Sequence, residues 1–248
     1  MRPSNRDVSI PVIAVVLLVL AVMPTSAVTV PSVDVSGLPL VFIQNEGQVD
    51  GSVLYHANTP THAIAFLQDS VVCTVGEKED PPSAVTIALE GQSPAAVVAG
   101  EERLGGTANF LVGNDPARWV RNAPTYARVA YRNVLPGVDI VYYGTQGVLK
   151  RDIVLAPGVD PAAIRFRYSG QESLSVDMAG DLVIATPAGT IREAAPACYQ
   201  ERGGVKIPVP CRYVLSGDSV RGQIPRMDRH IADAGACFCR RVGEYDAG

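Results

Sequence analysis

Apolar and polar positions follow two different patterns along this chain. Residues 12–23 (VIAVVLLVLAVM) are continuously apolar, preceded by Arg2 and Arg6 and followed by Pro24-Thr25-Ser26-Ala27. A basic start, a short apolar core and small residues at Thr25 and Ala27 predict a secretory signal helix cut after Ala27. As a helix this run spans only ~18 Å, against the ~30 Å hydrocarbon core of a bilayer. An uncleaved N-terminal anchor is the alternative reading of the same residues.

Beyond Ala27 the pattern changes to alternation. Short runs of Val, Ile, Leu and Tyr are separated by Gly, Pro, Asn and Asp, which predicts strands and turns. The predicted strands cover residues 40–44, 53–56, 63–67, 71–75, 85–89, 95–99, 108–112, 126–131, 138–143, 148–155, 164–168, 174–178, 182–186 and 213–215. Gln68-Asp69-Ser70 closes a hairpin, and residues 77–83 (EKEDPPS) form a charged loop. The expected fold is all-β: an antiparallel, β-sandwich-like domain of many short strands and hairpins after the N-terminal signal helix. Residues 1–27 are the signal, 28–36 a linker, 37–222 the β-rich domain and 223–248 an irregular tail.

Three hairpins have a predicted register. In LSVDMAGDLVIAT an Ala179-Gly180-Asp181 loop sets Met178 opposite Leu182 and Val176 opposite Ile184, with positive φ at Gly180. A Thr145-Gln146 turn between Gly144 and Gly147 sets Tyr143 opposite Val148 and, by the same count, Asp139 opposite Asp152. A loop from Gly203 to Lys206 sets Arg202 opposite Ile207 and Cys198 opposite Cys211. Directly opposed residues lie ~4.5–5.5 Å apart at Cα, within disulfide reach. Two buried thiols are the alternative for Cys198 and Cys211, and Cys73, in the alternating VVCTV, reads as a small core residue.

Composition narrows the function classes. The 248 residues carry 21 Lys+Arg against 25 Asp+Glu, a net charge of −4. That balance lacks the basic stripe a nucleic-acid binder needs. A charged fraction of 19% and a mean hydropathy of +0.16 exclude a polar disordered chain, although the signal segment inflates the latter. The five cysteines include no Cys-x-x-Cys pair, and His56, His62 and His230 are scattered. A zinc site is therefore not expected, nor any other metal or cofactor.

Asp139 and Asp152 are the candidate site. Two carboxylates on one face could share a proton, bind a cation or flank a glycosidic bond. The structural alternative neutralises them in a surface network with Lys150, Arg151, Arg165 or Arg167. His56 and His62 read as solitary exposed histidines. Trp119, Tyr126, Tyr131, Tyr142 and Tyr143 could form a sugar platform, but their alternation with Val and Ile favours core packing with hydrogen-bonded tips. No nucleophile elbow, zinc helix, phosphate loop or dinucleotide fingerprint occurs, so no enzyme is expected.

Several segments in order resemble a known family. FIQNEGQVDGSVLYHA (residues 42–57), the Gly-rich start and GNDPARW and LPGVDIVYYG motifs of residues 105–144, RDIVLAPGVDPAAIRFRYSG (151–170) and LSVDMAGDLVIATPAGTIREAAPACYQ (174–200) resemble the N-terminal β domain of surface proteins bearing seven-bladed β-propeller repeats. The resemblance covers roughly residues 38–222. It implies a secreted or cell-surface protein whose β module is non-catalytic, with a structural or adhesion role. Surface glycans or other surface-protein modules are the partners it implies, and the membrane is met only through an uncleaved N-terminus. The runner-up function is a carbohydrate- or cation-binding module using Asp139 and Asp152. Residues 224–248 (IPRMDRHIADAGACFCRRVGEYDAG) depart from the family pattern, which continues with a further strand. A frameshift or truncation, with Cys237 and Cys239 out of frame, and a genuine short tail are the two readings of that departure.

Overall fold

The computed structural model describes residues 40–59, 62–76, 81–145, 147–202, 205–223 and 236–241. The predicted signal helix and linker lie outside the described residues, as does most of the C-terminal segment. The first strands are β1 (Phe42–Gln44), β2 (Val53–Asn58), β3 (His62–Leu67), β4 (Ser70–Val75), β5 (Ser83–Leu89) and β6 (Val97–Phe110). Next come β7 (Val120–Leu135), β8 (Val138–Thr145), β9 (Val148–Leu155), β10 (Arg165–Ser169), β11 (Ser173–Val176) and β12 (Leu182–Thr186). The last are β13 (Gly189–Glu193), β14 (Ala197–Arg202), β15 (Val205–Val209), β16 (Arg212–Ser216), β17 (Ser219–Gln223) and β18 (Ala236–Arg241). Among the described residues the fold is all-β apart from two short 3-10 turns, Pro116–Arg118 and Pro161–Ala163, and every strand pairing is antiparallel. No helix among the described residues is long and apolar enough to cross a membrane.

Most strands form one sheet in the order β15-β14-β18-β9-β8-β7-β1-β2-β3-β4-β5-β10-β17-β16, with β6 also on β7. A smaller sheet has the order β11-β12-β13. Alternation decides which face is buried. Ile64 and Phe66 of β3, Val71, Cys73 and Val75 of β4, and Val85, Ile87 and Leu89 of β5 all point inward. They meet inward residues of β7, β8 and β9, so distant stretches of one strand path pack face to face. Phe66 contacts Tyr142 edge-on at 5.2 Å, and the Tyr131 hydroxyl donates to the Leu67 carbonyl at 2.8 Å. Tyr131 and Tyr142 are thus core aromatics, with a ring separation of 5.7 Å.

Two predicted short strands, 95–99 and 108–112, merge into the single long β6. Gly105 and Gly106 do not end it, because β7 continues alongside while the register slips between Arg103 and Thr107. The Thr125 hydroxyl donates to the Gly106 carbonyl within that irregular stretch. Residues 236–241, where the sequence shows little strand pattern, form β18 between β9 and β14.

The β11–β12 hairpin corrects a predicted register. Val176 faces Leu182 and Leu174 faces Ile184, so Met178 has no cross-strand partner and is fully exposed. Asp177 causes the difference: its carboxylate accepts from the backbone N–H groups of Ala179 and Asp181, at 2.9 and 3.0 Å, which winds the loop one residue earlier on each side. Gly180 has the expected positive φ, +87°.

Gly170, at the end of β10, has φ +92°, and a Cβ there would run into the Ala84 carbonyl oxygen. Gly158 has a similar φ of +83° but faces open space. Gly170→Ala is expected to cost about 3 kcal/mol or more and Gly158→Ala about 1 kcal/mol, read from urea unfolding midpoints.

Candidate functional site

The strand register separates the predicted carboxylate pair. β8 and β9 stay paired through Gly144–Leu149 and Thr145–Val148, leaving a two-residue connection. Gly147 supplies the left-handed φ (+74°) that so short a hairpin loop requires. Asp139 therefore faces Val154, and Asp152 faces Val141. The two carboxylates share a face only as diagonal neighbours.

Each has its own donors. Asp139 accepts from Arg132 Nη1 at 2.9 Å and from the Asn133 backbone N–H at 2.7 Å. Asn133 has φ +55°, where the β7–β8 register shifts between Tyr131 and Leu135. Asp139 thus caps a bulge in β7. Arg132 also donates to Glu101, through Nη2 at 2.6 Å and Nε at 3.1 Å, and these bonds hold its guanidinium above its ordinary range. Asp152 accepts from the Tyr143 hydroxyl at 3.1 Å. Arg167 pairs with Glu90 at 3.4 Å and not with either aspartate. Among the described residues no group of His, Cys, Asp and Glu has the clustering to hold a metal ion.

Cys198 and Cys211 are joined by a disulfide, with Cα atoms 6.1 Å apart. They are not directly opposed. Arg202 faces Val205 and Cys198 faces Val209, because the connection holds two residues instead of four. The bridge reaches diagonally past Pro210 to the residue just before β16. Since β14 and β16 lie near opposite ends of the main strand path, the disulfide draws those ends together. Cys73 is fully buried within β4.

His56 and His62 are buried, not exposed, each with 7% of its surface accessible. His62, opposite Val75, is on the core face, whereas His56, opposite Ile43 and Ala65, is on the other face, covered by Phe110. Gln48 Nε2 lies 3.0 Å from His56 Nε2, and the Phe110 ring meets His56 edge-on. Burial pushes both imidazoles down, His62 to about 4. Trp119 stands apart from the tyrosines at the tip of the β6–β7 hairpin, where its indole N–H donates to the Gly113 carbonyl.

The densest buried polar chemistry lies where the two sheets meet. β9 alternates Leu149, Arg151, Ile153 and Leu155 inward, so one position of an apolar row is an arginine. β13 likewise turns Ile191 and Glu193 inward. Arg151 and Glu193 have no accessible surface, and Arg151 Nη2 lies 3.3 Å from Glu193 Oε2. Tyr168 of β10 donates its hydroxyl to Glu193 Oε1 at 2.8 Å. The guanidinium carbon sits 4.1 Å from the Phe166 ring centroid, a cation–π contact. Burial raises the Glu193 carboxyl, with Arg151 and Tyr168 acting against that rise. For Arg151 burial is the largest influence and acts downward, but Glu193, Tyr142 and Tyr168 together outweigh it and the guanidinium is held above its ordinary range. Closed to solvent, this triad joins β9 and β10 of the main sheet to β13 of the small one. Arg151 is therefore not the surface residue expected from sequence, although its place in the Leu149–Leu155 alternation marks it as inward.

A family model described as a domain of unknown function (DUF7948) matches residues 42–231. No curated protein matches the chain, and no solved structure does.

The buried groups make two outcomes measurable. Arg151→Met leaves Glu193 uncompensated and is expected to cost about 3–5 kcal/mol in urea unfolding. Arg151→Met with Glu193→Leu is expected to recover most of that loss. For His62, a folded value of about 4 against the ordinary 6.5 means the unfolded chain binds the proton more readily. Its stabilisation is complete above pH 6.5 and is lost as pH falls towards 4, by roughly 3 kcal/mol at most. The pH dependence of unfolding across this window should become shallower in His62→Leu, with the remaining slope supplied in part by His56.

Proposed function

The chain belongs to the family described as a domain of unknown function, and we propose that it serves as a non-catalytic, exported β module of a surface or secreted protein. Its role is structural or adhesive, like that of the β domain preceding propeller repeats in the proteins its motifs resemble. The observation that carries this reading is the disulfide between Cys198 and Cys211, set beside a solvent-closed ion pair. A disulfide of this kind suits an oxidising compartment, in keeping with the signal-like residues 1–27. The buried ionic chemistry fits cross-linking better than turnover, since substrate has no route to Arg151 or Glu193. The rival use of Asp139 and Asp152 as a cation or sugar site gains nothing from a geometry that gives each carboxylate its own donor.

The test is the fate of the full chain in a host that exports it. It is expected outside the cytoplasm, with Cys198 and Cys211 resisting alkylation until a reductant is added. Reduction should lower stability by about 3 kcal/mol for a loop of this length. Cytoplasmic retention with both thiols alkylated would sink the proposal.

A further inference from the structure

The outer face of β10, β17 and β16 carries Arg165, Arg167 and Arg221, with one carboxylate, Glu90, beside them. β10 turns Phe166 and Tyr168 inward and Arg165 and Arg167 outward; β17 turns Val220 inward and Ser219 and Arg221 outward. Their register sets Arg165 directly opposite Arg221. Like charges opposed on neighbouring strands are destabilising. Arg167 is neutralised by Glu90, which also accepts from the Ser219 hydroxyl; that hydrogen bond is the main reason its carboxyl lies below the usual range. Arg165 and Arg221 make no ion pair within 4 Å among the described residues, although Arg165 adds a weaker attraction to the Glu90 carboxylate. Above them runs a groove of about 460 Å³, walled by Glu90, Val214, Ser216 and Ser219. That volume falls within the range of small-ligand sites.

We propose that this groove binds an acidic saccharide, with a carboxylate or sulfate group seated between Arg165 and Arg221. Two guanidinium groups on directly opposed residues can bind an oxyanion through charge-assisted hydrogen bonds, and the bound anion offsets their mutual repulsion. Val214 offers an apolar wall to the C–H face of a sugar ring, and Ser216 a hydroxyl at the rim. A net charge of −4 works against long polyanions such as nucleic acid and leaves a local contact of this kind as the better match. This assignment is independent of the module's structural role, which would survive its failure.

Calorimetric titration of the full chain tests it, using a uronic-acid hexasaccharide, its neutral counterpart, inorganic sulfate and a single-stranded hexanucleotide. The uronate should bind and the neutral sugar should not. Arg165→Gln and Arg221→Gln should each weaken uronate binding about tenfold or more. Without ligand, Arg221→Gln should melt at or above the wild-type temperature, because it removes one of two repelling charges, whereas Arg165→Gln also gives up an attraction to Glu90. A lowered melting temperature in Arg221→Gln would mean that this arginine serves the fold, and would overturn the site. Unchanged uronate affinity in both variants would overturn it as well. Sulfate or hexanucleotide binding as tightly as the uronate would reject a saccharide as the ligand.

Discussion

The contact between Arg151, Glu193 and Tyr168 sets the terms on which the two sheets can meet. A guanidinium with no accessible surface is tolerable only if an anion reaches it within hydrogen-bonding distance. Apolar surfaces are forgiving by comparison: Leu182, Ile184 and Ile191 would be buried nearly as well after a small slide of the three-stranded sheet. A docking that missed Glu193 would strand a buried charge at about 3–5 kcal/mol, within a total stability of about 5–15 kcal/mol. The ion pair thus adds little to net stability compared with an apolar pair. It penalises the alternatives instead.

The segment after Glu193 extends this control. The Ala194 carbonyl accepts from the Tyr213 hydroxyl at 3.0 Å, and the Ala195 N–H donates to Asp181 at 2.7 Å. Pro196 lies against the Cys211 sulfur, and Cys198 is covalently bridged to it. Successive residues are therefore held by β16, by the β11–β12 loop and by the disulfide. The chain leaves the small sheet under constraint and enters β14 already fixed. From there the bridge ties β14 to the start of β16, near the far end of the main strand path.

Most of the strands are legible from alternation, but their registers are not. All three hairpins with a predicted register pair two residues away from the expected positions: Asp139 with Val154, Val176 with Leu182, and Cys198 with Val209. The size of the error has a physical origin. A slip of one residue exchanges the buried and exposed faces, so the hydrophobic pattern forbids it. A slip of two keeps every side chain on its face, and the pattern cannot detect it. The choice then falls to the turn: a two-residue connection ending at Gly147 in one case, the Asp177 carboxylate in another. In the Asp139–Asp152 case, that slip separates the expected carboxylate pair into a bulge cap and a tyrosine contact.

Charge at an alternating position carries different information on the two faces. Arg151 is inward, and its counter-ion lies 42 residues on, in a strand that Gly189 and the short Ile191–Glu193 alternation announce only weakly. No local rule links the two; only the docking of the sheets does. Arg165 and Arg221 are outward, and their opposition likewise appears only once β10 and β17 are in register. The two placements differ in the demand each makes on the chain. An inward charge must be answered by the chain itself, since desolvation without a partner is too costly for the fold. An outward charge stays solvated, so the fold tolerates a repelling pair at the cost of a fraction of a kcal/mol, about 0.2–1. The demands of folding therefore explain the Arg151–Glu193 pairing but do not account for two arginines face to face above a groove.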